Sequence, residues 1–184
     1  MSNRLKILGI TINSTLTFEN HVNDVVKACG IVGYRINYCN ALLFGATNKV
    51  FDKIQRVQNN LASFVNNVSI RQLRQSELNS LDLLRSLHWL PIRSRIEYKV
   101  SVLGYKGYRF NQPSYLTYAP SRLLRSTTQD QLVRVPSHTR SSSRRFSCAA
   151  PYVWNNPPAS IRSAPSVDSF KMPLKTHLYR LYFQ

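Results

Sequence analysis

Four histidines, three cysteines and eight carboxylates are the side chains of this chain around which a metal or acid–base site would be built. Their spacing assembles no such site. A metal centre needs several His, Cys or carboxylate ligands at short offsets on one element; none of His21, His88, His138 and His177 has a second His or Cys three or four residues away. Cys29 and Cys39 with His88 form at most a partial zinc set, and thiols buried or half-buried in helices account for them more simply. General acid–base or covalent catalysis needs paired carboxylates, or a histidine poised beside a nucleophile. Glu19, Asp24, Asp52, Glu77, Asp82, Glu97, Asp130 and Asp168 are scattered, and each reads as a solvated surface acid. There is no glycine-rich phosphate loop, dinucleotide fingerprint, HExxH or CxxC. No catalytic residue, metal or cofactor is therefore expected.

The basic residues are more informative. Twenty-five Lys and Arg stand against eight Asp and Glu, a net charge of +17 and a pI near 10.4. Charged residues make up only 18%, so the imbalance comes from scarce acids. Such a surface repels itself and attracts polyanions. Arg95, Lys99, Lys106 and Arg109 lie at offsets of 4, 11 and 14 residues from the first, which is one helical face. Cations on a rigid face can follow a phosphate backbone, each contact releasing counterions. Tyr98, Tyr105, Tyr108 and Phe110 lie alongside and could stack on bases. The alternative is a solvated face with tyrosines at the rim of the core. The net charge tilts the choice toward nucleic acid. Arg122, Arg125, Arg134, Arg140, Arg144 and Arg145 form a second basic set in a Ser/Thr-rich stretch. It either lies on RNA or DNA without reading sequence, or is an unpaired linker. Trp89 and Trp154 read as core anchors.

The elements that must carry these cations follow from pattern. Residues 5–12 alternate loosely and are rich in β-branched residues, a strand with a bulge or close approach at Gly9. A helix is expected from about Thr17, with Phe18, Val22, Val25, Val26, Cys29 and Ile36 near helical spacing. Thr47 should cap a clearer one, whose apolar stripe is Val50, Phe51, Ile54, Val57, Leu61, Phe64 and Val65. Lys49, Lys53 and Arg56 lie off that stripe. A short helix over 80–87 stops before Trp89-Leu90-Pro91, and Pro91 suits the start of the next helix. That helix should bury Ile92, Ile96, Val100 and Leu103 and end at Asn111-Gln112-Pro113. Residues 131–135 suggest a short strand, and 146–154 a helical turn broken at Pro151. Ser166 caps a last helix carrying Val167, Phe170, Leu174, Leu178 and Leu181, which Pro173 should kink or shorten to start near Met172.

Only Pro91 of the nine prolines precedes residue 111, so composition shifts there. The expected organisation is a strand over 1–13, a helical region over 14–111 and a basic C-terminal region over 112–184. The fold class is mainly α, with one N-terminal strand and one or two short strands near the C-terminus. Hydrophobic residues at 43% exclude a fully disordered tail. No apolar run approaches the roughly 18 residues of a membrane span, and no signal peptide is evident. An odd cysteine count then fits an intracellular, reducing compartment, nucleus or cytoplasm not being distinguished.

Taken in order, several motifs resemble a known family. They are LGITINSTLTFENHV (8–22), YCNALLFG (38–45), KIQRVQNNLA (53–62), RSLHWLPIRSRIEYKV (85–100), PSYL (113–116), YAPSRLLRS (118–126), RFSCAAPYVWN (145–155), IRSAPSVDSFK (161–171) and LKTHL (174–178). LHWLP followed by R-I-x-Y-K, then PSR-x-LRS, then AAP-x-x-WN is the specific combination. Together they resemble the C-terminal portion of the reverse transcriptase of non-LTR retrotransposons, in the jockey/chicken-repeat group. The resemblance implies a strand at the palm–thumb junction, a helical thumb-like bundle that holds template–primer duplex, and a post-thumb region of undefined role. By similarity Lys53, Arg56, Arg93, Arg95 and Lys99 would contact the nucleic-acid backbone; Lys106, Arg109, Arg122 and Arg125 join them from the basic faces. The family's catalytic aspartates lie upstream of residue 1, so the chain alone is expected not to polymerise. Asn13 stands where Asp is usual, the stretches 28–38 and 116–118 are short, the usual glycine before Arg145 is absent, and Pro157 and Pro173 are atypical. These departures suggest a decayed, truncated copy. The expected partners are RNA, DNA or their hybrid, and no membrane. The alternatives are an orphan product without function or a basic protein-interaction module.

Overall fold

Helices dominate the part of the chain that the structure describes. The computed structural model describes residues 4–7, 10–13, 37–38, 40–66, 68, 79–110, 131–139 and 141–183. The expected helix from Thr17, the Gly9 reading and the helix stop at 111–113 lie outside them. Strands β1 (Arg4–Ile7) and β2 (Ile10–Asn13) pair antiparallel, Arg4 opposite Asn13 and Ile7 opposite Ile10. Two short strands thus replace the one expected. Six helices follow among the described residues: α1 (Asn48–Val65), α2 (Ser80–Ser86), α3 (Ile92–Phe110), α4 (Phe146–Trp154), α5 (Ala159–Arg162) and α6 (Val167–Phe183). Single 3-10 turns lie at Asn40–Leu43 and Ser142–Arg144. The chain divides into two units, Met1–Arg95 and Ile96–Gln184.

In the first unit, α1 starts at Thr47 as expected, although the threonine hydroxyl makes no capping bond. Val50, Phe51, Ile54 and Val57 are buried, but the stripe then turns away from the expected line. Gln58, Ala62 and Ser63 are buried, while Phe64 is 81% exposed. The reason is the packing of α2 on α1. It draws the 58–63 side inward: Asn59 Nδ2 donates to the Ser80 hydroxyl at 3.2 Å, and Gln58 Nε2 donates to the Leu90 carbonyl at 2.8 Å. Asn79 caps α2 in a reciprocal box with Asp82.

The LHWLP run is a junction between helices. His88 N–H donates to the Arg85 carbonyl and Trp89 N–H to the Leu84 carbonyl, at 3.1 and 2.9 Å. These are the two bonds that close a helix with a left-handed residue after its C-cap, and His88 sits there at φ 53°. Pro91 follows, buried, and its carbonyl accepts from Arg95 N–H at 2.9 Å. Gln55 Oε1 accepts from Ile92 N–H at 3.0 Å, so a side chain of α1 satisfies a donor at the start of α3.

The second unit is built on aromatic stacking. Tyr105, Trp154 and Phe170 are buried, with ring centroids 4.6 Å apart for Tyr105–Phe170, 5.5 Å for Trp154–Phe170 and 6.0 Å for Tyr105–Trp154. The Tyr105 hydroxyl donates to the Ala164 carbonyl at 2.8 Å. On α3, Ile96 and Val100 are buried as expected, but Leu103 is 37% exposed; Tyr105 takes its place in the core. Helix α4 is not broken at Pro151 but runs through it. Helix α6 starts at Val167, and Pro173 lies inside it without shortening it. Ser166 and Ser169 cap that start reciprocally, Ser169 N–H to Ser166 Oγ at 3.2 Å and Ser166 N–H to Ser169 Oγ at 3.0 Å. Residues 131–135 form no strand. Among the described residues no strand lies beside them, and the Asn155 side-chain amide bonds both the N–H and the carbonyl of Leu132, at 3.0 and 2.9 Å.

Trp154→Ala should destabilise the second unit by about 3–5 kcal/mol, as emptying a large aromatic site does, read from urea unfolding followed by circular dichroism. A cost below about 1 kcal/mol would mean that the aromatic cluster is not the core. At the left-handed position of the LHWLP junction, His88→Gly should be tolerated or mildly stabilising. His88→Val should cost about 1–3 kcal/mol more than His88→Gly, because a β-branched residue is strained at positive φ. Equal melting temperatures for the two variants would refute the left-handed cap.

Candidate nucleic-acid interface

The expected contact residues separate into three groups. Arg56, Lys99 and Lys106 are exposed on the helices that carry them, and Lys49 joins them at the start of α1. These helices are held by buried apolar faces, so the cations project from rigid backbone. Lys49 and Arg56 are seven residues apart on α1, as are Lys99 and Lys106 on α3, so each pair spans two turns of one face, about 10.5 Å along the axis. Lys53 lies between the first pair, half-buried.

Arginines of the second group are held against rings and carbonyls. The Arg93 guanidinium lies 4.4 Å over the Phe51 ring, and its Nη2 donates to Asn48 Oδ1 at 2.9 Å. Arg93 is thereby fixed at the first turn of α1, the helix of Lys53 and Arg56, while staying exposed. Arg109 is exposed too, over Tyr105 at 5.7 Å, with Nη2 donating to the Ala164 carbonyl at 2.9 Å. Guanidinium on a ring face keeps its full charge and loses freedom, which suits it to phosphate.

Arg95 departs from the expected face. It is half-buried, over Trp89 at 5.5 Å, and donates from Nε to the Leu90 carbonyl at 2.9 Å and from Nη1 to Asn37 Oδ1 at 3.0 Å. Burial lowers its pKa from the ordinary arginine value, though arginine remains charged near neutrality. It braces the LHWLP junction, so the spacing that grouped it with Lys99 and Lys106 overstates its availability. Arg122 and Arg125 lie outside the described residues.

The aromatic expectations change likewise. Tyr105 is 1% exposed and locked in the core, so it has no face for a base. Tyr98 and Tyr108 are half-buried, Tyr108 against Trp154 at 5.7 Å. Burial raises the Tyr98 pKa, with Lys171 opposing and Asp168 reinforcing the shift. Phe110 alone of the four is widely exposed, at 63%. Trp154 is a core anchor as expected; Trp89 is half-buried beneath Arg95. Sequence spacing missed a further pair, Arg134 over Tyr152 at 5.4 Å, because the two meet through tertiary contact. Arg162 is buried and adds nothing to the exposed charge. Among the described residues no group of three or more His, Cys, Asp or Glu could hold a metal ion, and no helix is long and apolar enough to cross a membrane.

Arg95→Ala should destabilise the first unit by about 1–3 kcal/mol through lost charge-assisted hydrogen bonds and packing. Lys99→Ala should stay within about 0.5 kcal/mol of the parent. Urea titrations of both variants test the division, which fails if the two costs are equal. Compared with known proteins, the chain matches no family model, no curated protein and no solved structure.

Proposed function

We propose that the chain is a thumb and post-thumb portion of a non-LTR retrotransposon reverse transcriptase, and that its role is to grip RNA, DNA or their hybrid without reading sequence. The observation that carries this reading is exposed charge on rigid elements: Arg56, Lys99 and Lys106 stand exposed on helices of a chain with net charge +17. The ordered motif series supports the family assignment, and the mainly helical architecture agrees with it. Polymerisation in that family belongs to palm aspartates, so the chain by itself binds and does not extend a primer. A second reading, a basic protein-interaction module, draws on large apolar side chains left in water, Phe64 at 81%, Met172 at 71% and Leu181 at 69% exposure.

Fluorescence anisotropy with a labelled duplex at rising KCl tests the grip. Binding should weaken steeply with salt, with a Kd on the order of 10⁻⁴–10⁻⁶ M at physiological ionic strength. Replacing Arg56, Lys99 and Lys106 together by glutamine should reduce the salt slope by about one for each residue that contacts phosphate, with little change in melting temperature. Absent binding at low salt, or binding indifferent to salt, would overturn the reading. A salt-resistant 1:1 complex with a protein would favour the second.

A further inference from the structure

Residues 131–167 contain no Asp or Glu and five arginines, Arg134, Arg140, Arg144, Arg145 and Arg162. Helix α4 lies in this stretch. Ala149, Ala150, Val153 and Trp154 turn inward, while Arg145 at its N-cap and Tyr152 near its end are exposed. The two are seven residues apart, so they share one face at about 10.5 Å along the axis. Arg145 Nε lies 3.4 Å from the Ser142 carbonyl and donates to it, which orients the side chain.

A third residue is brought to that face from outside the helix. The Asn155 amide holds both backbone groups of Leu132, and the Leu132 side chain is buried at 6% exposure. This pins residues 131–135 beside the end of α4. Arg134 consequently lies over the Tyr152 ring, 5.4 Å from its centroid, and the tyrosine still exposes 54% of its surface. A large ring more than half exposed, carrying a cation and lying in a stretch of sequence without a carboxylate, has the composition of a stacking platform for a nucleobase.

We propose that this face of α4 binds single-stranded nucleic acid, with a base stacked on Tyr152 and Arg134 and Arg145 on the phosphates to either side. The inference rests on the polynucleotide reading above and gives the C-terminal region a role distinct from gripping duplex. Single strands are the occupant because a duplex keeps its base faces inside the stack, whereas an unpaired base offers its face to an aromatic ring. Any base can stack, so the site is tolerant of sequence.

The test uses the full chain and anisotropy with labelled oligo(dT) of about a dozen nucleotides. An abasic oligomer of the same length, a duplex and polyglutamate serve as the other probes. Tyr152→Ala should weaken oligo(dT) binding by about fivefold to a hundredfold. Tyr152→Phe should retain it, and the abasic oligomer and the duplex should not respond to either variant. Because Tyr152 is exposed, both variants should melt as the parent does. If Tyr152→Ala leaves oligo(dT) affinity unchanged while duplex binding persists, this inference fails alone. If neither polynucleotide binds, the general reading fails with it. If polyglutamate binds as tightly as oligo(dT) and shows the same loss on Tyr152→Ala, the face belongs to an acidic protein and the proposal is overturned.

Discussion

Arginine in this chain has few carboxylates to meet, and that scarcity shapes both units. A guanidinium near the protein surface needs its donors satisfied and its stem packed. Here aromatic rings and backbone carbonyls take the place of acids. Arg93 rests on Phe51 and Asn48, Arg95 on Trp89 and the Leu90 carbonyl, Arg109 on Tyr105 and the Ala164 carbonyl, and Arg134 on Tyr152. An ion pair such as Lys171–Asp168 cancels the charge it holds. A ring or a carbonyl holds the cation and leaves the charge in place. The positive field is therefore preserved while its carriers are ordered, at the expense of self-repulsion.

The same groups that hold the helices also hold the cations. Leu90 shows how: its carbonyl accepts from Gln58 of α1 and from Arg95 of α3. Ala164 plays the corresponding part in the second unit, accepting from Tyr105 and Arg109. In each case one backbone oxygen ties a buried side chain to a guanidinium, half-buried Arg95 in the first unit and exposed Arg109 in the second. Motifs such as LHWLP and AAP-x-x-WN are in this light structural: a left-handed turn with a proline start, and an aromatic anchor followed by an asparagine that clamps a neighbouring segment. Their specificity lies in backbone geometry and packing, and the charge sits on residues between them.

Much of the architecture was legible from periodicity and end signals. The starts of α1 and α6 fall at Thr47 and Ser166 as expected and α2 begins at Ser80 as its expected span does, because burial, joined by capping at α2 and α6, acts over a few neighbouring residues. The ends of the stripes were not legible. Phe64 and Leu103 keep the period yet face water, since which side of a helix is covered depends on where the next helix lies. Pro151 suggests a break, but a proline costs one hydrogen bond and a local clash, and the buried face of α4 outweighs that in context. Residues 131–135 have the composition of a strand without a partner strand, and a side-chain amide supplies the pairing instead.

The sequence by itself determined the charge, the helical class and where most of the helices begin, all of which are local or additive properties. Tertiary structure alone decided which cations are presented. Arg95 and Lys99 are one turn apart on the same helix, yet one braces a junction and the other stands in water. Tyr105 and Tyr152 are both tyrosines beside arginines, yet one is core and the other half open. The difference comes from contacts with residues distant in the chain, and a spacing rule on one helix carries no information about them.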